Sequence, residues 1–408
     1  MSEVRLLKPE EAGLTDKIQA FEDGIRTEEK SGSYEWWYFD SKYADGSSLV
    51  IVFYTKPVTS FAKAFKPFVS LNYISPNGKE IRTTFESKNF SFSKDNCDVR
   101  IGDCYIKGDL SHYDIYFKND DVECRLTLDA SVPSWRPDAG KIMFGKKDYF
   151  AWLPSVPEGK VSGTLKTKDE SIVLDGTGYH DHNWGNKLMI LLMNDWYWGR
   201  AKIGDYVVVS SYIYATKKDG YKATPIFMLA KDGEILTGDA FKYLTYEEKD
   251  FIKDSYTKRH VAKTLVYDYN DKENSIHYRV TYKKGDEEVE RQVMTDIVGK
   301  SLAAMFYLLG FRGSYHRMGG TAILERFDDE KIVERIEAPA MWEQMCFKPD
   351  RITSKQRKEA RPKQTLDSAK SSLNTIRARH TFKNALHLPS NRNARLRICL
   401  CTNTSWIG

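Results

Sequence analysis

Apolar and polar residues alternate along much of this chain. Tyr113, Ile115 and Phe117 alternate with Asp114, Tyr116 and Lys118. Cys124, Leu126 and Leu128 alternate with Glu123, Arg125, Thr127 and Asp129, and Tyr278, Val280 and Tyr282 with His277, Arg279, Thr281 and Lys283. A period of two puts one set on a packed face and the other in water, the pattern of antiparallel sheet. Asp45-Gly46, Asn77-Gly78, Asp219-Gly220 and Asp232-Gly233 sit between apolar runs. Such pairs tolerate the positive φ of a tight hairpin. Short strands at a spacing of roughly 8–12 residues predict an all-β, mainly antiparallel fold of sandwiches or barrels.

Helix is sparse. One short helix is predicted within Pro9–Glu22, and another over residues 287–309, where Ser301–Phe311 reads equally as a buried strand. Pro154, Pro157, Gly159 and Gly163 mark one expected boundary, and Lys348–Asp350 a second. The expected parts are residues 1–155, 156–348 and 349–408.

Charge sharpens this division. The net charge of +5 is a sum of unlike parts: residues 351–408 carry 13 Lys/Arg against Glu359 and Asp367, and the first 350 residues are net −6. A basic surface for nucleic acid is therefore excluded for the body. The last part is expected to be disordered and solvated, with weak contact to an anionic membrane or nucleic acid as its alternative role. Its deletion from residue 351 is expected to leave folding intact. No apolar run approaches the ~18 residues of a membrane span, and the N-terminus lacks the apolar core of a signal peptide. Six cysteines without zinc-knuckle spacing predict free thiols and a cytoplasmic protein.

The 20 Phe, 24 Tyr and 9 Trp are concentrated in two constellations. In Tyr34-Glu-Trp-Trp-Tyr-Phe-Asp40, a strand would turn Glu35, Trp37 and Phe39 one way and Tyr34, Trp36, Tyr38 and Asp40 the other. Both faces must then be covered, or one must line a cavity. Glu35 is a candidate proton donor among bulky rings; the alternative is an aromatic core strand with Glu35 at its rim. The second constellation runs from Asp175 through Gly178-Tyr-His-Asp-His-Asn-Trp-Gly185 to Trp196-Tyr-Trp-Gly-Arg200. His180 and His182 would share a strand face, with Asp181 opposite. A His–Asp pair could do acid–base work. Two histidines with His316 could hold a metal, although no further ligand lies nearby in sequence. Trp184, Trp196 and Trp198 could face a cation. The alternative is a satisfied polar cluster at a strand end. Phosphate-binding, dinucleotide and nucleophile-elbow motifs are absent.

These two constellations, with Trp152-Leu-Pro-Ser-Val-Pro-Glu-Gly-Lys-Val-Ser-Gly163 between them, resemble the hydroxyneurosporene synthase (carotenoid 1,2-hydratase) family. That lipocalin-like superfamily includes kievitone hydratase-like proteins and fungal Diels–Alderases. The resemblance spans about residues 30–345. It implies two consecutive lipocalin-like barrels or bent sheets with a pocket at their junction, suited to a small apolar substrate.

For a hydratase of an apolar prenyl or terpenoid C=C bond, it implies catalytic roles for Asp181 with His180 or His182, and for Glu35 as a second acid. Trp36, Trp37, Tyr38, Asn183, Trp184, Trp196, Trp198 and Arg200 would bind substrate. No cofactor and no metal are required. The same resemblance implies two alternatives, a pericyclase that cyclises a polyene and a non-catalytic carrier of an apolar metabolite. His180-Asp-His-Asn-Trp-Gly185 looks closer to the Diels–Alderase and uncharacterised hydratase-like branches than to the carotenoid one.

Overall fold

The computed structural model describes residues 3–352, apart from residue 309. The basic run from residue 353 onward lies outside the described residues. Two antiparallel sheets account for nearly every strand. The first is centred on three long strands, Tyr34–Tyr43, Ser171–Gly185 and Asp148–Thr167, hydrogen-bonded in that order. One meander, Ser48–Tyr54, Phe68–Ile74 and Glu80–Glu86, extends it on one side. Another, running back from Val122–Ala130 to Phe90–Phe92, extends it on the other. The sheet curls until its flanks meet: Asn119 Nδ2 donates to Thr83 Oγ1 at 2.7 Å.

The second sheet takes the strand Met193–Ile203 and pairs it with Lys331–Cys346, the last strand described. It curls likewise, so that Phe227 stacks on Tyr267 and Tyr269 at 6.1 and 6.0 Å. The lipocalin-like, all-β architecture expected from the sequence is therefore present. No helix among the described residues is long and apolar enough to cross a membrane.

Local chemistry accounts for the punctuation. Gly46, Gly78, Gly220 and Gly233 all have positive φ at the expected turns. At Asp232-Gly233 both residues do (50° and 83°), as the tightest hairpins require. The Pro154–Gly163 cluster is not a break. It lies within the strand Asp148–Thr167, whose pairing shifts register between Leu153 and Val156 and again between Val156 and Gly159. Proline cannot donate to the ladder, so the strand bulges there instead of ending. The expected boundary at 155/156 thus falls inside a strand, and the chain changes sheets at residues 186–192, through the helix Met189–Leu192.

The two expected helices also differ. Pro9–Glu22 yields only 3-10 turns, Glu10–Ala12 and Ala20–Asp23, the second of these running one residue past the expected end. The later helix is Met294–Leu308, broken at Gly299, because residues up to Val293 complete the long strand Ile276–Val293.

Three large apolar clusters result among the described residues, beside a small one at Ala151, Leu153 and Trp184. One fills the first curl around Trp37, Phe39 and Ile115. One fills the second around Tyr197, Phe227 and Trp342. The third lies between the sheets and holds Trp36, Tyr38, Phe150, Trp152, Tyr179 and Trp196. Burying an aromatic side chain contributes on the order of 1.5–3 kcal/mol, so the junction is a core in its own right.

Arg351, at the start of the expected tail, belongs to the body. Its Nε donates to Asp195 Oδ1 at 2.9 Å, another nitrogen bonds Glu248, and it lies over the Tyr214 ring. Ile352 packs into the second core. Removing one side of such a nearly buried ion set costs about 3–5 kcal/mol. A chain ending at Asp350 is therefore expected to unfold at clearly lower urea than one ending at Ile352. Equal midpoints would show that Arg351 contributes nothing.

Candidate active site

The strands Tyr34–Tyr43 and Ser171–Gly185 are direct neighbours, so the first constellation pairs with most of the second. Tyr38 lies opposite Asp181, Trp37 opposite His182 and Glu35 opposite Trp184. Strand alternation then divides the residues between two environments.

Glu35, Trp37, His180 and His182 face the first core. There they meet the turn Ala20–Asp23, which sequence reasoning passed over. His180 Nδ1 lies 2.7 Å from the Tyr38 carbonyl oxygen, to which it must donate. Its Nε2 lies 3.2 Å from Asp23 Oδ2, which also accepts from Tyr113 Oη at 2.5 Å. Burial works against a charged imidazole here, but the Asp23 carboxylate outweighs it and holds the His180 pKa above the usual value. Burial likewise works against ionised Asp23, and the histidines and Tyr113 hold its pKa below the usual value.

His182 Nε2 lies 2.7 Å from Glu35 Oε1, and its ring is sandwiched between Trp37 and Trp184 at 4.7 and 4.6 Å. Glu35 also accepts from the backbone N–H groups of Arg26 and Thr27 and from the Thr27 hydroxyl. Next to Asp23, Glu22 is paired with buried Arg136 at 2.7 Å. Every one of these side chains is buried and engaged with its neighbours, and the cluster pins the turn to the sheet. The structure thus separates His180, His182 and Glu35 from Asp181. Trp37 and Trp184 go with the histidines.

The opposite face opens into a cavity between the sheets. From the first sheet come Trp36, Tyr38, Phe150, Trp152, Asp181 and Asn183. From the second come Trp196, Trp198, Ser211, Ile213 and Glu343. Of the residues expected to bind substrate, Trp36, Tyr38, Asn183, Trp196 and Trp198 are here.

Burial pushes the Asp181 carboxyl up to about 6. It rises no further because Trp152 Nε1 and Tyr179 Oη each donate to Oδ2 at 2.7 Å, and Asn183 Nδ2 to Oδ1 at 2.6 Å. Glu343, directly opposite Trp198 in the second sheet, is pushed by burial up to about 7, against the pull of Arg317, whose guanidinium is 3.9 Å away. Tyr315 Oη donates to Glu343 at 2.7 Å, and Trp196 Nε1 approaches it at 3.4 Å. At about 7, Glu343 keeps much of its proton near neutrality, whereas Asp181, at about 6, keeps its own only on the acid side of it. Trp36 Nε1 is buried without a hydrogen-bond partner among the described residues. Arg200, also expected here, lies alongside, its guanidinium shared between Asp40 and Glu158.

Two groups of side chains have metal-ligand spacing. In Asp23, Cys97 and His180, burial pushes the Cys97 thiol far up, against the thiolate a metal needs. In Asp254, Glu288 and His316, Arg291 and Lys284 already pair with the two carboxylates. His316 is thus in the second sheet, away from the other two histidines. Neither group fits a metal better than the ion pairs it already makes.

Comparison with known proteins places the chain among relatives of two activities. A family model described as Diels-Alderase-like matches residues 27–288. Hydroxyneurosporene dehydrogenase of Chlorobaculum tepidum is 27% identical over 218 residues, 42% of this chain and 54% of that protein. Diels-Alderase poxQ of Penicillium oxalicum is 28% identical over 134 residues, 32% of this chain and 30% of its own. The chain thus spans about half the length, or less, of these curated relatives. The crystal structure of CghA with Sch210972 is alike in fold: its TM-score is 0.55 at 13% identity, covering 80% of this chain and 95% of that one.

The His180–Asp23 pair has a pH signature. His180 is raised, so its contribution to stability is complete below the unfolded value of about 6.5 and is lost as pH rises through the folded value. Asp23 is lowered, so its contribution is complete above about 3.9 and is lost as pH falls through its folded value. Asp23→Asn is expected to flatten both flanks of a plot of urea midpoint against pH. Unchanged flanks would show that the pair is not coupled to folding.

Proposed function

The chain belongs to the Diels-Alderase-like family, and from that premise we propose that it is an enzyme that folds and cyclises an apolar, unsaturated, carbonyl-bearing substrate between its two sheets. The observation that carries this reading is the pair of buried carboxyls, Asp181 and Glu343, in an indole-lined cavity. A neutral carboxyl can donate a hydrogen bond to a substrate carbonyl and draw electron density from the conjugated C=C bond, with no proton leaving the site. The walls supply the larger part, by holding a flexible polyene in the one conformer whose ends can react. The unpartnered indole N–H of Trp36 is a further donor for such an oxygen.

Hydration is the second reading, supported by the indoles of Trp36, Trp152, Trp196 and Trp198, whose faces can hold a cation. It asks more of the acid. A carboxyl with a raised pKa suits hydrogen bonding to a carbonyl and is poorly matched to protonating an isolated C=C bond. With the histidines behind the sheet, water capture would fall to Glu343 or Asp181.

The two readings separate by product mass with a panel of carbonyl-bearing polyenes in heavy water. Cyclisation is expected to give isomers of unchanged mass without deuterium on carbon. A gain of one water with deuterium on carbon would establish hydration instead, and a ligand bound but unaltered would make the protein a carrier. Under cyclisation, Glu343→Leu and Asp181→Leu, which remove the donor, are each expected to lower turnover by about a hundredfold. The wild-type rate should fall as pH rises through about 6 if Asp181 is the required donor, or about 7 if Glu343 is. Turnover unaffected by both substitutions would remove the carboxyls from the mechanism.

A further inference from the structure

The two ends of the second sheet differ in charge. Neighbouring strands run in opposite directions, so each connection falls at one end or the other. At one end lie residues 216–222, 254–259, 294–313 and 347–352, with nine Lys/Arg against four Asp. At the opposite end lie residues 204–205, 232–233, 236–243, 272–275 and 329–330, with six Asp/Glu against two Lys.

The positive end is not neutralised locally. Its four acids are all engaged: Asp219 by Lys218, Asp254 by Arg291, Asp350 by Arg259, and Asp296 by the Tyr256 hydroxyl and the Val293 N–H. Lys217, Lys222, Lys258, Lys300 and Arg312 are exposed, with no carboxylate at ion-pair distance among the described residues. Residues 353–408, with 12 Lys/Arg against Glu359 and Asp367, join the body through the last of these connections.

The same end exposes an apolar helix. After the break at Gly299, residues 302–309 are apolar apart from the Tyr307 hydroxyl. Lys300, Ala304 and Leu308 are four apart and share one face. All three are exposed, Leu308 by 89%. Ala303 is fully buried, so the helix rests on the body with that face outward. Arg312 follows just past the helix, donating to the Tyr307 carbonyl oxygen at 2.6 Å. A face that is apolar between two cations suits a helix lying along the headgroup boundary of a bilayer, its cations reaching to the phosphates. A second copy meeting this face with its own would bring like charge, and nucleic acid would leave Leu308 uncovered.

We propose that this end of the second sheet docks on an anionic lipid surface, with Leu308 in the boundary and the exposed cations and the basic run on the headgroups. The cavity lies towards this end, since Trp196, Ile213 and Glu343 are each within three residues of a strand end there. An apolar substrate dissolved in lipid is then held close to the site. The docking surface does not depend on which reaction the cavity performs.

Sedimentation of the full chain with vesicles tests this. Phosphatidylcholine vesicles with about one third phosphatidylserine are expected to bind it roughly tenfold more tightly than phosphatidylcholine alone, a difference that added salt removes. Leu308→Asp is expected to lower binding to the anionic vesicles about tenfold, with an unchanged urea midpoint because the side chain is exposed. Failure to prefer the anionic vesicles would overturn the proposal, whether or not a DNA duplex is bound in their place. That comparison needs no variant, so it stands even if Leu308→Asp fails to fold. Binding that a folded Leu308→Asp chain retains in full would assign the attraction to the basic run alone and would also overturn the proposal.

Discussion

Two neighbouring residues on a strand cannot face the same space, and this constraint organises the whole molecule. At residues 179–183 it sends Tyr179, Asp181 and Asn183 into the junction and His180 and His182 into the first curl. The same rule sends Trp36 and Tyr38 one way and Glu35 and Trp37 the other. Because these strands are in direct register, like faces with like along their length. One face is an ionic, hydrogen-bonded cluster that fixes the sheet. Its reverse is an apolar wall on which Asp181 stands among indoles. The sequence packs both into the same few residues, so the motif looks like one site and is two.

That duality explains what could be read from the chain alone. Period-two patterning and the Asp-Gly and Asn-Gly turns sufficed for an antiparallel fold, because both are local effects of pleat and backbone sterics. Both faces of Tyr34–Asp40 were legible for the same reason, as was the opposition of Asp181 to the histidines. Which face met a cavity was not legible, since that depends on what packs there. Glu343 gave no signal: it lies in a strand that also carries Glu334 and Glu337, and only pairing with Trp198 makes it special. Arg317 was hidden likewise. Glu22 and Asp23 belonged to a stretch expected in part to be helix, and the partners that meet them across the core, Tyr113, Arg136 and His180, lie 90 or more positions away. The prolines misled because a proline can end a strand or bulge it, and the choice is made by the neighbouring strand.

Electrostatics in the two environments obey opposite rules. Inside the first curl, Asp23 and His180 favour each other's charged form against the cost of burial. At the junction, Asp181 and Glu343 come from different sheets and have mainly neutral donors around them, so burial drives them toward the acid form. Asp23, beside a buried imidazole, is thus held toward the carboxylate, and Asp181, among neutral hydrogen-bond donors, toward the acid.

The cavity also has a place in time. Its walls run from Trp36 to Glu343, and the strand Lys331–Cys346 slots into the middle of the second sheet, not onto its rim. Until the ribosome has released that segment, Met193–Ile203 carries an unsatisfied edge and Asp181 sits on a wall with nothing across from it. A nascent chain is therefore unable to trap a ligand until that strand has emerged and paired, and the site closes only at that step.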